Sequence, residues 1–228
     1  MTAALHRADT RARGRHVRGS RSPIAGPGLH LRGRGVPTLV VGVAAVAVLA
    51  WLAADWLVHQ EWLGGAEARI PVVAAAPLLA AVLTSTGLGG ADEELERTTA
   101  VPWRLIRALH VLGAFVLVAG ALALIGTWEP RAYGAYELVR NAAGYLGMVV
   151  GAAVVTGARL AWAPAFGYAA VMYIAAPKPL RADTAWWTWP LHAWNTELAA
   201  WVAGGLFVTG LALYVRFGAH LGRAADPS

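Results

Sequence analysis

The chain has 228 residues, of which 57% are hydrophobic and only 14% are charged, and its mean hydropathy is +0.51. Soluble domains usually carry about a quarter charged residues, so this composition favours a lipid environment. Cysteine is absent, which excludes disulfides, thiolate metal sites and thiol nucleophiles. We therefore expect an all-α, polytopic integral membrane protein.

The net charge of +6 is concentrated before the first apolar run. We predict that residues 1–35 form a disordered cytoplasmic tail that contacts anionic lipid. Nucleic-acid binding is disfavoured because no aromatic residues alternate with the basic ones. We interpret the first apolar run as a retained helix and not as a signal peptide, because its basic flank is long and further apolar runs follow. The basic residues of the tail are Arg7, Arg11, Arg13, Arg15, Arg18, Arg21, Arg32 and Arg34.

About six apolar runs follow in chain order, each close to the length that crosses a bilayer. They form one predicted transmembrane domain over residues 36–217, with 218–228 as a cytoplasmic tail. With the basic tail inside, both termini are predicted to be cytoplasmic. The predicted spans are Pro37–Val58, Ile70–Leu88, Leu105–Gly126, Asn141–Ala158, a fifth that follows a tight turn at Arg159 and ends near Ala176, and Glu197–Val215.

Two prolines and one carboxylate lie within these predicted spans. Pro37 suits the first turn of a helix, where its missing N–H is not needed. Pro77 predicts a kink in the second span, tolerated where a neighbour satisfies the freed carbonyl. Asp55 lies near the end of the first span, where it can reach the headgroups.

The longest charged interruption, Gly87–Arg107, lies between the second and third spans. Asp92, Glu93 and Glu94 suit a helix amino terminus, and Glu93 pairs with Arg97 at a spacing of four. We predict a short cytoplasmic surface helix over residues 92–99.

Three later features concern packing and the outer surface. The connection Thr127–Arg140 carries Trp and Tyr residues typical of an interfacial belt. Gly147 and Gly151 allow close helix packing, within the monomer or, as the alternative, between subunits. Thr184–Trp194 is too apolar for a free loop and too short to cross the bilayer. We therefore predict a re-entrant or interfacial element.

Sequence motifs for several kinds of chemistry are missing. The chain has no phosphate-binding loop, no His-Glu-x-x-His helix and no Gly-x-Ser-x-Gly, so we expect it neither to hydrolyse ATP nor to be an enzyme by itself. His59 and His192, both predicted outside, are weak candidates for haem ligands, and His110 lies near the other face. We favour the interpretation that these histidines lie at the membrane interface with their hydrogen bonds satisfied, and we predict no metal site.

The spans, the charged segment and the Trp-rich element together resemble the permease subunits of type-2 ABC exporters. The pieces DEELERTTA (92–100), RNAAG (140–144) and GARLAWAPAFGY (157–168) are similar to small actinobacterial membrane proteins of that kind. This resemblance covers roughly residues 37–217 and implies a bacterial plasma-membrane protein that works as a homodimer or with a related permease. ATP would be bound by a separate cytoplasmic subunit, with no other cofactor.

The resemblance also implies roles for particular residues. The charged segment would contact the ATPase, and the Trp-rich element would form an outer gate through Trp186, Trp187 and Trp189. The substrate would be a hydrophobic or amphipathic compound, and no nucleic acid would be bound. The alternatives are a haem-binding electron carrier and a non-transporting scaffold or immunity protein. The predicted ATPase-coupling residues are Asp92, Glu93, Glu94, Glu96, Arg97, Trp103 and Arg104.

Overall fold

The computed structural model describes residues 35–60, 65–89, 102–128 and 131–220, and within these ranges all regular secondary structure is helical. Five segments are long and apolar enough to cross a membrane, and a sixth apolar helix is shorter. The protein is therefore a multi-pass, all-α protein with about six spans, as the sequence predicts. Its helices are α1 Val36–Val58, α2 Ile70–Thr84, α3 Trp103–Ile125, α4 Ala135–Thr156, α5 Trp162–Ala175, α6 Ala185–Thr188 and α7 Glu197–Phe217.

The second and fifth spans are not simple helices. The 3-10 segments Gly65–Arg69 and Ser85–Gly87 extend α2 at both ends, which gives a continuous span of 23 residues. In contrast, α5 has 14 residues and reaches about 21 Å at 1.5 Å per residue. A bilayer core of about 30 Å therefore needs more than α5 to be crossed.

We call the end of the bundle that carries residues 126–128, 131–134 and 176–196 the outer face, following the predicted orientation. The opposite, inner face carries the end of α4, the turn after Gly157 and the end of α7. Gly157 has a φ of 79°, a left-handed conformation that glycine adopts without strain. The predicted turn at Arg159 is thus initiated by a glycine two residues earlier.

Helix α4 lies at the centre of the bundle. It packs most extensively on α7 and then on α2 and α3. Leu138, Ala142, Tyr145 and Val149 on α4 are completely buried. Helices α1, α3 and α7 are largely exposed along one side, and the exposed side chains are apolar, as expected for surfaces that face lipid.

The contact between α4 and α7 depends on glycine. A Cβ atom added to Gly147 would overlap the backbone of Leu206 on α7, and one added to Gly210 would overlap the carbonyl of Gly147. One added to Gly151 would lie 3.4 Å from the Cα of Gly210, which is ordinary contact. Both predicted packing glycines therefore face α7, and the contact lies within the monomer.

Hydrogen bonds join the inner ends of three spans. The hydroxyl of Tyr214 on α7 donates to the carbonyl of Leu88, just after the second span, at 2.6 Å. Beyond α7, the N–H of His220 donates to the carbonyl of Ala153 on α4 at 2.8 Å. The inner end of the second span is therefore attached to α7, and α7 in turn to α4.

Replacing Gly147 by alanine should destabilise the protein, because the new methyl group would meet backbone atoms that cannot rotate away. We expect a loss of about 1–3 kcal/mol, as for other overpacked sites. Gly113→Ala is the matched control, since a Cβ atom there has no neighbour within 4 Å. Thermal unfolding in detergent should show a lower midpoint for Gly147→Ala alone, and equal midpoints would contradict the packing described.

Candidate functional site

The fourth helix begins earlier than the sequence predicts. The sequence placed residues up to Arg140 in a connection, but α4 starts at Ala135. The carboxylate of Glu137 explains the difference, because its Oε2 accepts the N–H of Gly134 at 2.9 Å and so caps the first turn. Glu137, Arg140 and Asn141 consequently lie on the helix, and they are only 1%, 6% and 0% exposed.

Asn141 connects three parts of the chain. Its Nδ2 donates to the carbonyl of Val73 in α2 at 2.9 Å and to the carbonyl of Pro190 at 2.8 Å. Its Oδ1 accepts from Nε of Arg140 at 3.1 Å. Both amide hydrogens and the amide oxygen are thus in use, which is the condition for burying such a group at low cost.

The bond to Val73 compensates for Pro77. In an α-helix the carbonyl of residue 73 accepts from the N–H of residue 77, and proline has none. Pro77 lies inside α2, and Asn141 supplies the missing donor to Val73. The carbonyl that Pro77 leaves without its helical donor is therefore satisfied by a neighbour, on α4. The kink at Pro77 stays a prediction.

Arg140 holds the chain that follows the Trp-rich segment, by which we mean residues 182–191. Its Nη2 donates to the carbonyl of His192 at 2.7 Å, and its Nη1 donates to the carbonyl of Ala193 at 3.4 Å. A guanidinium that is buried needs several acceptors to offset its lost hydration, and these carbonyls with Asn141 provide them. Arg140 therefore fixes the residues that directly follow this segment to α4.

The Trp-rich segment enters the bundle. The indole of Trp189 lies against Gly144, where any Cβ atom would overlap the ring. Its ring centroid is 5.1 Å from that of Tyr145 and 6.4 Å from that of Tyr168, and Trp189 is 1% exposed. Gly144 lies roughly 13 Å along α4 from its first residue. This depth favours the re-entrant interpretation over the interfacial one.

His192 follows this segment and is bonded to two hydroxyl groups. Its Nε2 lies 2.9 Å from Oγ1 of Thr188, and its Nδ1 lies 3.5 Å from Oγ1 of Thr196. Burial, together with the nearby positive charge of Arg140, lowers the pKa of His192 from its ordinary value. The imidazole is therefore neutral at pH 7 and serves as a hydrogen-bonding link between the segment and the start of α7.

A cavity of about 680 Å³ opens beside this cluster on the outer face. Its wall comes from the start of the second span, from residues 176–182 after α5 and from residues 191–196 before α7. Apolar residues alternate there with polar ones, so the cavity suits a compound with both characters. The polar lining residues are Glu67, Tyr133, Tyr173, Lys178, His192, Asn195 and Thr196.

The predicted gate residues occupy different environments. Trp186 is 64% exposed, Trp187 is partly buried, and Trp189 lies in the core. The structure therefore assigns Trp189 a packing role in this conformation, and a gating role for the three remains a prediction. The hydrogen bonds from Asn141 to Pro190 and from Arg140 to His192 were not predicted from the sequence. The spacing of four between Glu137 and Asn141, which places both on one face of a helix, is the signal that could have shown this region to be helical.

Most of the predicted ATPase-coupling residues, Asp92 to Arg97, lie outside the described residues, as do residues 1–34 and 221–228 of the predicted tails. Trp103 and Arg104 form the first turn of α3 at the inner face, and Arg104 is exposed there. Their predicted role beside the membrane surface remains a prediction.

The histidines show little sign of ligand geometry. His59 directly follows α1 and is exposed, with its Nδ1 2.6 Å from the carbonyl of Asp55. Both ring nitrogens of His192 are already near hydroxyl groups. Within the described ranges, no group of three or more His, Cys, Asp or Glu side chains could hold a metal ion. These contacts favour hydrogen-bonded, interfacial histidines over haem ligands.

Comparisons with known protein families, with curated proteins and with solved structures find no match to this chain. The functional argument therefore rests on the residues themselves.

Replacing Asn141 by alanine should cost about 2–4 kcal/mol of unfolding free energy, because it leaves buried carbonyl groups and a guanidinium N–H without partners. Asn195→Ala is the control, since Asn195 is an exposed asparagine on the same face. The unfolding free energy, measured in mixed micelles, should be clearly lower for Asn141→Ala than for Asn195→Ala. Similar small losses for both would show that the Asn141 contacts do not stabilise the bundle.

Stability should fall as the pH drops below about 6.5, the ordinary pKa of histidine. The lowered pKa of His192 means that the unfolded chain binds a proton more readily than the folded one, so acid favours unfolding. We expect His192→Gln to reduce the pH dependence of the melting temperature between about pH 8 and pH 5. His59→Gln, which changes an exposed imidazole, should leave that dependence intact; the reverse pattern would refute the assignment.

Proposed function

We propose that this protein is the membrane subunit of an ATP-driven transporter that exports a hydrophobic or amphipathic compound. A separate cytoplasmic subunit would bind ATP, and two permease chains, identical or related, would form the transport path. The bundle of about six spans is compatible with this role.

The strongest support is the re-entrant Trp-rich segment between α5 and α7. In the permeases that the sequence resembles, a Trp-rich partial re-entry between the last two spans would form the outer gate. Here the segment is attached by Asn141 and Arg140, and a cavity of about 680 Å³ adjoins it. A gate of this kind needs both a defined closed position and a space that its movement can open.

The inner face supplies a route by which an ATPase could act on that gate. Leu88 directly follows the second span, and its carbonyl accepts a hydrogen bond from the hydroxyl of Tyr214 on α7. Helix α7 packs backbone to backbone on α4 at Gly147 and Gly210, and α4 carries the residues that hold the Trp-rich segment. A force applied between residues 88 and 103 would therefore reach the outer face through tightly packed helices.

The cavity suits a substrate with an apolar body and a polar end. Ile70, Pro71, Leu180 and Leu191 line its apolar part. Polar side chains of both charges, with neutral hydrogen-bonding groups, line the remainder. Such a mixed surface favours amphipathic compounds over simple ions.

Replacing Glu93, Glu94 and Arg97 together by alanine should abolish retention of the ATPase during purification. The matched control is Glu67, Asp183 and Arg181 replaced by alanine, which removes the same charges from the outer face, where Arg181 and Asp183 form an exposed ion pair. The chain should be purified from its native host in mild detergent, and the retained proteins should be identified by mass spectrometry.

The proposal predicts a stoichiometric ATPase with the wild type and with the outer-face control, and none with the inner triple variant. A colourless chain recovered alone, under conditions that preserve other membrane complexes, would contradict it and favour a scaffold. A Soret band that disappears on replacing His59 or His192 would contradict it in favour of the haem alternative.

A further inference from the structure

A second cavity, of about 670 Å³, lies at the inner face between the second span and the start of α5. At its inner end, the chain after the second span approaches the turn before α5, since a Cβ atom added to Gly89 would lie 3.4 Å from that of Ala158. Leu79 and Phe166, which are about half-exposed, line the deeper part. The cavity is therefore open along the side of the bundle, where lipid surrounds the helices.

The wall of this cavity changes from polar to apolar with depth. Thr86 and Arg159, both exposed, lie at its inner end. Leu79 precedes Thr86 by seven residues and so lies about 10 Å deeper along the second span. On α5, Phe166 lies one turn deeper than Trp162, and their ring centroids are 6.0 Å apart. A ligand that fills the cavity therefore needs a polar end at the inner face and an apolar body towards the middle of the bilayer.

The polar end of the cavity carries a positive charge. Arg159 is the one charged residue among the described residues of the wall. Its guanidinium makes no hydrogen bond or ion pair within the described ranges. The described residues of the inner face also include Arg104, Arg107 and Arg216 and no carboxylate. Positive groups at a membrane surface attract anionic lipid, and a guanidinium matches the geometry of a phosphate. This end of the cavity therefore favours a phosphate.

The hydroxyl groups of the wall do not compete with Arg159 as donors. Oγ of Ser85 and Oγ1 of Thr86 donate to carbonyl groups three residues earlier, at 2.7 Å and 2.9 Å. The indole of Trp162 borders the cavity and is exposed, and indoles at the end of a span typically contact headgroups. A ligand phosphate therefore finds its main donor in Arg159, with an indole beside it.

We propose that this cavity binds an anionic phospholipid. The phosphate accepts hydrogen bonds from the guanidinium of Arg159, beside the indole of Trp162. One acyl chain lies along Leu79 and Phe166. A free phosphate would use the polar end and leave the apolar part empty, so the shape favours a lipid. The site is independent of the proposed transport function, because a scaffold or an electron carrier with this fold would hold the same lipid.

Lipid binding can be measured by native mass spectrometry of the full chain in detergent, with phosphatidylglycerol, phosphatidylethanolamine and phosphatidylcholine of identical acyl chains. Phosphatidylglycerol should bind most tightly, because the other two headgroups carry a cation that offsets the attraction of their phosphate to Arg159. Arg159→Gln should remove this preference, with a loss of roughly fivefold to tenfold in the affinity for phosphatidylglycerol. The side chain is exposed, so the variant should fold normally.

Two further variants separate the site from general effects. Arg216→Gln removes an exposed charge of the same face that does not line the cavity, and it should leave the preference unchanged. Leu79→Trp places a larger apolar side chain in the deeper part of the cavity. It should weaken all three lipids by a similar factor while the preference for phosphatidylglycerol remains.

Equal binding of the three lipids by the wild type, or a preference that survives Arg159→Gln, would overturn the proposal. An equal loss of preference in Arg216→Gln would also overturn it, because the attraction would then come from the charge of the whole face. Unchanged lipid affinities in Leu79→Trp would refute the position of the acyl chain. Displacement of phosphatidylglycerol by an equimolar amount of soluble glycerol phosphate would assign the site to a free phosphate ester, whereas failure of glycerol phosphate to compete supports the lipid.

Discussion

The amide of Asn141 is the contact on which the rest of this structure depends. It supplies the donor that Pro77 takes away from the second span, and with its other hydrogen it binds Pro190 in the Trp-rich segment. In a low-dielectric interior, each of these carbonyls would be expensive to leave without a donor. One side chain therefore makes both the interrupted second span and the re-entrant segment compatible with burial.

Helix α4 carries two different kinds of contact along its length. Its outer half holds polar side chains that bind backbone carbonyls, and its inner half holds glycines that bring α7 to backbone distance. Gly144, between these halves, leaves the space that the indole of Trp189 fills. The outer half consequently determines where the Trp-rich segment lies, while the inner half fixes α4 to the helix that contacts Leu88. This arrangement gives the proposed transporter a mechanical connection between its faces.

Apolar run length and proline placement were sufficient to predict the all-α class, about six spans and the helix boundaries to within a few residues. The start of α4 was the main error, because Arg140 and Asn141 suggest a loop when no partner is visible, and their partners are carbonyls distant in sequence. The same limit applies to Trp189. The Trp-rich composition around it suggests a place at the membrane interface, but its buried position depends on the space that Gly144 leaves for the indole. Local sequence patterns therefore predict the spans. The burial of polar side chains such as Asn141 depends on contacts between spans, which local patterns do not contain.

The most direct test of the central contact is a double-mutant cycle between Pro77→Ala and Asn141→Ala, measured as unfolding free energies in mixed micelles. An alanine at position 77 restores the helical N–H to the carbonyl of Val73, so the loss of Asn141 should cost less in that background. The account predicts a coupling of about 1 kcal/mol, in the direction that Pro77→Ala partly rescues Asn141→Ala. Strictly additive effects would contradict it, since they would show that Asn141 does not compensate for the proline.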